Sequence, residues 1–299
     1  MMCPELAVVA GATGFIGNRL VLELLQRSVT VRIVSSRMHT YSYNSASTDG
    51  VQWFGLSDAD IERATCDATH FFNFAVAYDR PSIDDQTITT ANVDIPLKII
   101  SNFKKRKTPV TCVLGDSFFR KFPPQATLQG RYTRSKQDLA DKLSVIIENS
   151  QVRAALLQIE QVYGPGEAFT KVLPHLTQQM VLNAPRIAMT SGMQKRDFVF
   201  VDDVVDAAWT VANSSWDGLV TVECGSGIAT PVRQVFEQIH ALAHSKSQLG
   251  FGDLEGGTGI LSSNANTSWL RARGWAPQTS LEEGLTKLVR DVELRTLPQ

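Results

Sequence analysis

A tyrosine and a lysine four residues apart are the side chains in this sequence best suited to proton transfer. They are Tyr132 and Lys136, in the segment YTRSK. On a helix, residues four apart share one face, and a nearby ammonium favours the phenolate, which lowers the phenol pKa from about 10. Such a tyrosine can exchange a proton with a substrate oxygen near neutral pH. Because this spacing is common by chance, its meaning depends on the surrounding elements.

A glycine-rich turn near the N-terminus predicts a phosphate-binding site. Residues 8–17 read VVAGATGFIG and precede an apolar amphipathic segment. This order predicts a strand, a turn and a helix, the first half of a βαβ dinucleotide-binding unit. Gly11 permits the tight turn, Gly14 removes a side chain where a pyrophosphate would approach, and Gly17 lets the helix pack on the strand. The helix N-terminus adds N–H groups and a positive dipole end. The expected cofactor contacts are Gly11, Thr13, Gly14, Phe15, Ile16 and Gly17.

The end of a second predicted strand, 29–34, indicates which dinucleotide binds. Folds that prefer NAD usually place Asp or Glu here to bind the ribose hydroxyls. This sequence has Ser35, Ser36 and Arg37 instead. Hydroxyl groups and a cation suit a 2′-phosphate, which a carboxylate would repel. We therefore expect NADP(H) as the cofactor, with NAD(H) the less favoured alternative; otherwise the three are ordinary loop residues.

The predicted elements alternate between strands and helices along most of the chain. Strands are expected at 29–34, 51–55, 69–76, 110–114, 153–159, 196–201 and 219–224, and helices at 58–65, 87–107, 131–148, 169–182, 202–212 and 281–294. Pro96 predicts a kink or a restart of helix 87–107, and Thr230 and Pro231 predict the N-cap and first residue of a further helix. The alternation predicts an α/β fold, a doubly wound, mainly parallel Rossmann-type sheet with a smaller C-terminal lobe.

The predicted domains follow from this order. We expect an NADP-binding Rossmann domain at 1–163, with return segments at about 197–224. A substrate-binding lobe is expected from 164–196 and 225–299. The 299 residues, 43% of them hydrophobic, suffice for one large α/β unit or for two lobes.

Composition excludes several classes of partner. The net charge is −1 and the pI is near 6.5, with one short basic cluster at 104–107, so nucleic acid is not an expected partner. No apolar run reaches about 18 residues and no signal peptide is visible, so we expect no membrane span and a cytoplasmic location. The four scattered cysteines fit free thiols in a reducing compartment. His240 and His244 are the one histidine pair at a four-residue spacing, and we predict no metal site.

Four ordered motifs resemble those of the extended short-chain dehydrogenase/reductases, the nucleotide-sugar epimerase/dehydratase/reductase family. They are GATGFIG at 11–17, YTRSK at 132–136, QVYGPGE at 161–167 and RDFVFVDDVVDA at 196–207. Three shorter stretches are similar to the CDP-abequose and CDP-paratose synthase branch: GDSFFRK at 115–121, QIEQVYGPGE at 158–167 and FGDLEGG at 251–257. The resemblance implies NADPH-dependent reduction of the 4-keto group of a nucleotide-linked deoxysugar for O-antigen biosynthesis. It also implies a homodimer formed through helices 87–107 and 131–149.

The resemblance assigns roles to individual residues. Tyr132 would be the general acid, and Lys136 would lower its pKa and hold the nicotinamide ribose. Asn92 stands where the family has an asparagine that supports the active site. The cofactor contacts would then include Ala75, Tyr78 and Asn92. The substrate contacts would be Tyr78, Gln161 and Arg196, the last at the family's diphosphate position, unless Arg196 forms a salt bridge with Asp197 or another neighbour.

The sequence departs from the family pattern after the strand at 110–114. Where members carry a catalytic Ser or Thr, this sequence has Gly115. We predict that Ser117, two residues later, supplies the hydroxyl and is the third catalytic residue. The alternatives are a water, Thr133 or Ser135.

Other departures bear on the type of reaction. Dehydratases of this family need an Asp-Glu pair, whereas here Asp116 is followed by Ser117, so a dehydratase is not expected. Gln158 stands where members usually carry Arg, which affects hydrogen bonding to the substrate. A nucleotide-sugar epimerase, which retains its cofactor and returns the hydride, is the second hypothesis. A non-catalytic NADP-binding regulator is the third, and it is disfavoured because Tyr132 and Lys136 are both present.

Overall fold

The computed structural model describes residues 5–36, 50–127, 129–256 and 259–297. The chain divides into two compact units, Met1–Gln158 with Val205–Val222, and Ile159–Val204 with Glu223–Gln299. The second unit therefore takes in residues 159–163, 197–204 and 223–224, which the sequence analysis placed with the first. In the described ranges, no helix is both long enough and apolar enough to cross a membrane.

Strands and helices alternate along most of the described chain. The strands are β1 Leu6–Ala10, β2 Thr30–Val34, β3 Val51–Phe54, β4 His70–Asn73, β5 Val110–Ser117, β6 Val152–Ile159, β7 Gln161–Tyr163, β8 Arg186–Met189, β9 Lys195–Phe200, β10 Leu219–Cys224, β11 Ala229–Pro231 and β12 Gln248–Phe251. The helices are α1 Phe15–Gln26, α2 Asp58–Thr65, α3 Asp85–Thr89, α4 Ile95–Lys104, α5 Gly130–Ile146, α6 Val172–Val181, α7 Val201–Ala212, α8 Val232–Leu242, α9 Ser268–Arg271 and α10 Leu281–Thr296.

The first unit is built on a twisted sheet with the described strand order β10-β6-β5-β4-β1-β2-β3. The pairs from β3 through β5 are parallel. On one face, buried residues of α2, α4 and α5 join Val8, Phe71 and Cys112 in one apolar cluster. The strands are apolar on both faces, as buried parallel strands require. This arrangement confirms the predicted doubly wound Rossmann-type fold, and its order reverses at β1, between β4 and β2.

The predicted helix 87–107 is interrupted just before Pro96. A π-helical turn, Thr90–Asp94, separates α3 from α4. Pro96 lies in the first turn of α4, where a missing N–H costs no helical hydrogen bond, so of the kink or restart predicted at Pro96 the structure shows the restart. The irregular turn carries the buried side chain of Asn92.

The predicted cap of the helix after 230 was wrong. Thr230 pairs with Arg196 in an antiparallel ladder between β11 and β9. Strand pairing therefore holds Thr230 in extended backbone, and α8 begins at Val232 with Pro231 as its N-cap.

The second unit is organised around β9, which pairs in parallel with β7 and antiparallel with β11. A separate parallel pair joins β8 and β12, and the sequence did not predict these short strands or β7 and β11. Tyr163 is buried edge-on against Phe198 and Phe200. It packs so closely on α10 that a Cβ at Gly284 would lie 2.1 Å from its hydroxyl. The packing of these rings requires glycine at position 284.

Candidate active site

The glycine-rich turn joins β1 to α1 by very close backbone packing. Gly11 has φ +82°, and a Cβ there would lie 2.2 Å from the Ala75 nitrogen. A Cβ at Gly17 would lie 2.1 Å from the Gly11 oxygen. Gly14 differs, because it is exposed and the Gly11 oxygen, 3.2 Å away, is the one atom its Cβ would closely approach. Packing therefore requires glycine at 11 and 17, whereas at Gly14 the bare backbone faces outward at the start of α1.

The other predicted turn residues stand at the start of the same helix. Thr13 is half-buried just before it, and Phe15 and Ile16 are its first two residues. Ser35 and Ser36 follow β2, and the Ser35 N–H donates to the Phe54 carbonyl at 3.0 Å. Arg37 lies outside the described residues, so the predicted preference for a 2′-phosphate rests on the sequence at that position.

Helix α5 places Tyr132 and Lys136 on one buried face. The Lys136 Nζ donates to the Gly115 carbonyl at 2.6 Å and lies 5.7 Å from the centre of the Tyr132 ring. Both side chains are largely shielded from water. The structure thus brings the predicted pair together at the end of β5, with the ammonium over the ring face.

The predicted lowering of the Tyr132 pKa is wrong in this structure. Burial raises the pKa of Tyr132 well above its ordinary value, Tyr78 and Asp116 raise it further, and a hydrogen bond with the Ser117 side chain lowers it in part. The Lys136 ammonium is bound to a carbonyl, and burial lowers its own pKa to about 8. Tyr132 therefore holds its proton at neutral pH and is ready to donate it.

Of the three candidate hydroxyl residues, Ser117 is the best placed for the catalytic role that the sequence analysis predicted for it. It ends β5, is buried, accepts from the Phe119 N–H at 3.3 Å, and lies near enough to Tyr132 to affect the pKa of that phenol. The two alternatives are engaged elsewhere: the Thr133 hydroxyl bonds that of Thr127 at 3.1 Å, and the Ser135 hydroxyl donates to the Tyr132 carbonyl at 2.7 Å. Among the three side chains, this geometry favours Ser117.

The ring of Phe74 accounts for glycine at position 115. A Cβ on Gly115 would lie 2.9 Å from the Phe74 Cδ1 atom. The family's hydroxyl residue therefore does not fit here unless Phe74 moves. Gly115 still serves the site through its carbonyl, which accepts from Lys136.

A buried ion pair lies beside this group. Asp116 accepts from the Arg120 Nε at 2.7 Å, and Arg120 also donates to Thr221 at 3.1 Å. Burial raises the pKa of the Asp116 carboxyl, while the charges of Arg120 and Lys136 oppose that rise. Asp116 is thus a fixed partner of Arg120, a pairing that the sequence analysis did not predict.

Asn92 fixes the segment that follows β4. Its Oδ1 accepts from the Ala77 N–H at 2.8 Å, and its Nδ2 donates to the Ala77 carbonyl and to Ser135, both at 2.9 Å. These contacts occupy the buried amide, so Asn92 binds the Ala77 backbone and Ser135, and its predicted contact with the cofactor stays a prediction. Nearby, the Tyr78 ring centre lies 5.3 Å from that of Tyr132.

The predicted substrate residues Arg196 and Gln161 belong to the second unit, on β9 and β7. Arg196 is largely buried and donates to the Lys195 carbonyl at 2.7 Å and the Ile260 carbonyl at 3.1 Å. Burial lowers its pKa, and the charge of Glu160 opposes this. The Asp197 carboxylate accepts from backbone N–H groups of residues 226, 227 and 265, so Glu160 is the acidic neighbour whose charge acts on the Arg196 pKa.

A model described as the NAD dependent epimerase/dehydratase family matches residues 7–222, which carry the turn, Tyr132, Lys136 and β9. The chain belongs to this family. The resemblance inferred from the four motifs is thereby confirmed.

Two proteins similar to this member of the epimerase/dehydratase family match it over nearly its whole length. A CDP-abequose synthase of Salmonella muenchen is 27% identical, and the match covers 94% of this chain and 96% of that protein. A CDP-abequose synthase of Salmonella typhimurium is also 27% identical, with 96% and 98% covered. The branch suggested by the shorter motifs is thus also found among the chain's relatives.

Solved structures share the fold at lower sequence identity. A UDP-N-acetylglucosamine 4-epimerase from Methanobrevibacter ruminantium M1, in complex with UDP-N-acetylmuramic acid, has a TM-score of 0.83 at 20% identity, with 98% of this chain and 100% of that chain covered. The Bordetella bronchiseptica enzyme WbmF, in complex with NAD+, also has a TM-score of 0.83 at 20% identity, with 98% and 93% covered. These likenesses show the Rossmann-type architecture of the epimerase/dehydratase family.

The sequence analysis missed Arg131, the residue next to Tyr132, which is the proposed general acid. Arg131 donates from its backbone N–H to Asp79 Oδ2 at 3.0 Å and from Nε to Asp79 Oδ1 at 2.8 Å. The two residues are 52 positions apart, so no local pattern pointed to the pair. In the sequence, the only feature that points to Arg131 is its position immediately before Tyr132.

Proposed function

We propose that this protein reduces the 4-keto group of a nucleotide-linked deoxysugar with NADPH, as a CDP-abequose or paratose synthase would. The observation that carries the proposal is that Tyr132 is buried with the Lys136 Nζ 5.7 Å from its ring centre, and burial raises the pKa of Tyr132 so that the phenol keeps its proton. Reduction of a ketone needs a proton donor at the carbonyl oxygen, and Tyr132 is in that state at neutral pH. The near full-length likeness to two CDP-abequose synthases supports the substrate class.

The residues of the turn fit a nicotinamide dinucleotide. The close approach of Gly11, Ala75 and Gly17 starts α1 directly at the end of β1. Gly14 leaves exposed backbone where a pyrophosphate would meet the positive end of the helix. Ser35 and Ser36 would then lie at the ribose end, and Arg37 follows them in the sequence. Their lack of a carboxylate supports NADP(H) over NAD(H).

In the proposed reaction, the nicotinamide cofactor, when bound, supplies the hydride to the sugar keto carbon. The Tyr132 phenol donates its proton to the oxygen that develops negative charge. The Ser117 hydroxyl holds that oxygen against the phenol, which fixes the direction of proton transfer. The Lys136 ammonium is held in place by the Gly115 carbonyl, so that it can bind the nicotinamide ribose and stabilise the tyrosinate that remains.

The proposed binding roles follow the two predicted domains. The N-terminal domain would bind the cofactor, and the lobe formed by 164–196 and 225–299 would bind the nucleotide sugar with help from Arg196 and Gln161. A homodimer through helices 87–107 and 131–149 stays a prediction. Size-exclusion chromatography with light scattering would measure the oligomeric state directly.

The proposed reaction is tested by incubating the protein with NADPH and a panel of 4-keto nucleotide sugars while nicotinamide absorbance is followed. Oxidation of NADPH by the wild type, lost in Tyr132→Phe with NADPH affinity kept, is the expected result. Tight NADPH binding without turnover on any substrate would contradict the proposal and favour a regulator. Epimerised sugar without net oxidation would favour the epimerase.

A further inference from the structure

The segment after β4 is attached to the start of α5 at two neighbouring points. At the first, Asn92 bonds both the N–H and the carbonyl of Ala77, and it also bonds Ser135 on α5. At the second, the carboxylate of Asp79 binds the side chain and the backbone N–H of Arg131. Tyr78 is the residue between these two points, so its backbone is fixed on both sides.

Arg131 fixes a longer stretch than Asp79 alone. Its Nη1 donates to the Ile83 carbonyl at 2.9 Å and its Nη2 to the Arg80 carbonyl at 3.0 Å. Nη1 also lies 3.0 Å from the carboxylate of Asp85, the first residue of α3. One guanidinium thus binds two carbonyls and two carboxylates in residues 79–85. A planar group with donors on every edge is suited to this, whereas an ammonium on a flexible stem is not.

The same loop is also held by the residue at the start of α5. The Asp79 N–H donates to Gln129 Oε1 at 3.1 Å. Asp79 is therefore bound through its backbone and through its carboxylate to residues within three positions of Tyr132. The contacts set the distance between the Tyr78 and Tyr132 rings, whose centres are 5.3 Å apart.

We propose that Arg131 is a positioning residue that holds Tyr78 against Tyr132, and that Tyr78, held in this way, orients the substrate for reduction. This inference rests on the proposed function, because it assigns Tyr78 to the same site. Tyr78 also bears on the chemistry, since its proximity raises the pKa of Tyr132 after the larger effect of burial. A displaced Tyr78 would change both the fit of the substrate and the proton affinity of the acid.

The positional half of the inference is tested by hydrogen exchange in peptides that cover residues 76–85. Arg131→Gln is expected to raise exchange in these peptides at least several-fold, because the bonded N–H groups of Ala77 and Asp79 lose their fixed surroundings. Arg134→Gln is the matched control, since Arg134 is exposed on the same helix. Unchanged exchange in Arg131→Gln would overturn the positional half, whatever reaction the protein performs.

The functional half is tested by a double-mutant cycle on kcat/KM for the keto sugar. We expect Arg131→Gln and Tyr78→Ala each to lower kcat/KM by about tenfold, with NADPH affinity unchanged. Because Arg131 acts through Tyr78, Arg131→Gln should have little further effect in the Tyr78→Ala protein. Arg131→Lys should recover only part of the loss. Losses that simply multiply would overturn the inference, as would an Arg131→Gln enzyme of full activity.

The two halves separate this inference from the proposed function. If the wild type reduces no keto sugar in the panel, the proposed function fails while the exchange experiment still reports on the contacts of Arg131. If the wild type is active and the cycle shows no coupling, the proposed function stands and the orienting role of Tyr78 is refuted.

Discussion

Replacing Lys136 by methionine should make the protein more stable while abolishing its activity. The side chain is buried, and burial lowers the pKa of Lys136 from 10.5 to about 8. At about 1.4 kcal/mol for each tenfold change in proton affinity, the charged ammonium destabilises the folded state by about 3 kcal/mol at neutral pH. Methionine has a similar length and no charge, so it removes this penalty.

Loss of the hydrogen bond to Gly115 reduces the gain. The Lys136 Nζ donates to that carbonyl at 2.6 Å, and a buried carbonyl left without its donor costs about 1–2 kcal/mol. The expected net stabilisation by Lys136→Met at pH 7 is therefore about 1–2 kcal/mol. The pH dependence gives a second signature. Because the folded-state pKa lies below the unfolded value, the unfolded chain binds more protons between about pH 8 and 10.5. The penalty of the charge therefore disappears as the pH rises through this window, and above it Lys136→Met should be slightly destabilising.

Urea unfolding of the wild type and of Lys136→Met at pH 7, 9 and 10.5 measures the difference directly. Comparing the two proteins cancels the groups that titrate in both, including the buried cysteines. Lys142→Met, at an exposed position of the same helix, is the control and should show no such dependence on pH. A Lys136→Met protein that is destabilised to the same extent at pH 7 and pH 10.5 would refute the reasoning.

Three further predictions concern two buried carboxylates and the site hydroxyl. Asp116→Asn removes a charge that favours the ammonium of Lys136, so the pKa of Lys136 should fall below about 8 and the alkaline limb of the kcat/KM profile should move to lower pH; an unmoved limb would contradict this. Asp197→Ala leaves three backbone N–H groups of its loop without their acceptor and should lower the unfolding free energy by about 3 kcal/mol, measured by urea unfolding beside the exposed control Asp217→Ala. Ser117→Ala should lower kcat by about 100-fold with NADPH affinity unchanged, and a fall below threefold would remove Ser117 from the proposed mechanism.

Local patterns were sufficient to predict the sheet and the turn. Apolar runs alternating with amphipathic segments predicted the described order of strands and helices in the first unit. The spacing of Gly11 and Gly17 predicted close packing because only glycine tolerates it, and the structure shows backbone atoms where a Cβ would stand. The Tyr132 and Lys136 pair was found for the same reason, since four residues on a helix bring two side chains to one face.

The features that could not be predicted depend on contacts between distant residues. The π-helical turn carries Asn92, whose partner Ala77 is 15 residues away, so Pro96 indicated the restart of the helix but nothing local indicated the irregular turn before it. Glycine at 115 is explained by the ring of Phe74, which follows β4 and is close to Gly115 in space but not in the sequence. The pKa of Tyr132 was predicted to fall because of the charge of Lys136. Burial raises this pKa and is the larger effect, and no local spacing reveals it.

The most direct test of the proposed hydride transfer uses NADPH that carries deuterium at both C4 positions of the nicotinamide. With a 4-keto nucleotide sugar as substrate, the account predicts one deuterium at C4 of the sugar product, equal in amount to the NADPH consumed, and none with Tyr132→Phe. Sugar product that contains no deuterium, or an epimerised sugar formed without consumption of NADPH, would contradict the account.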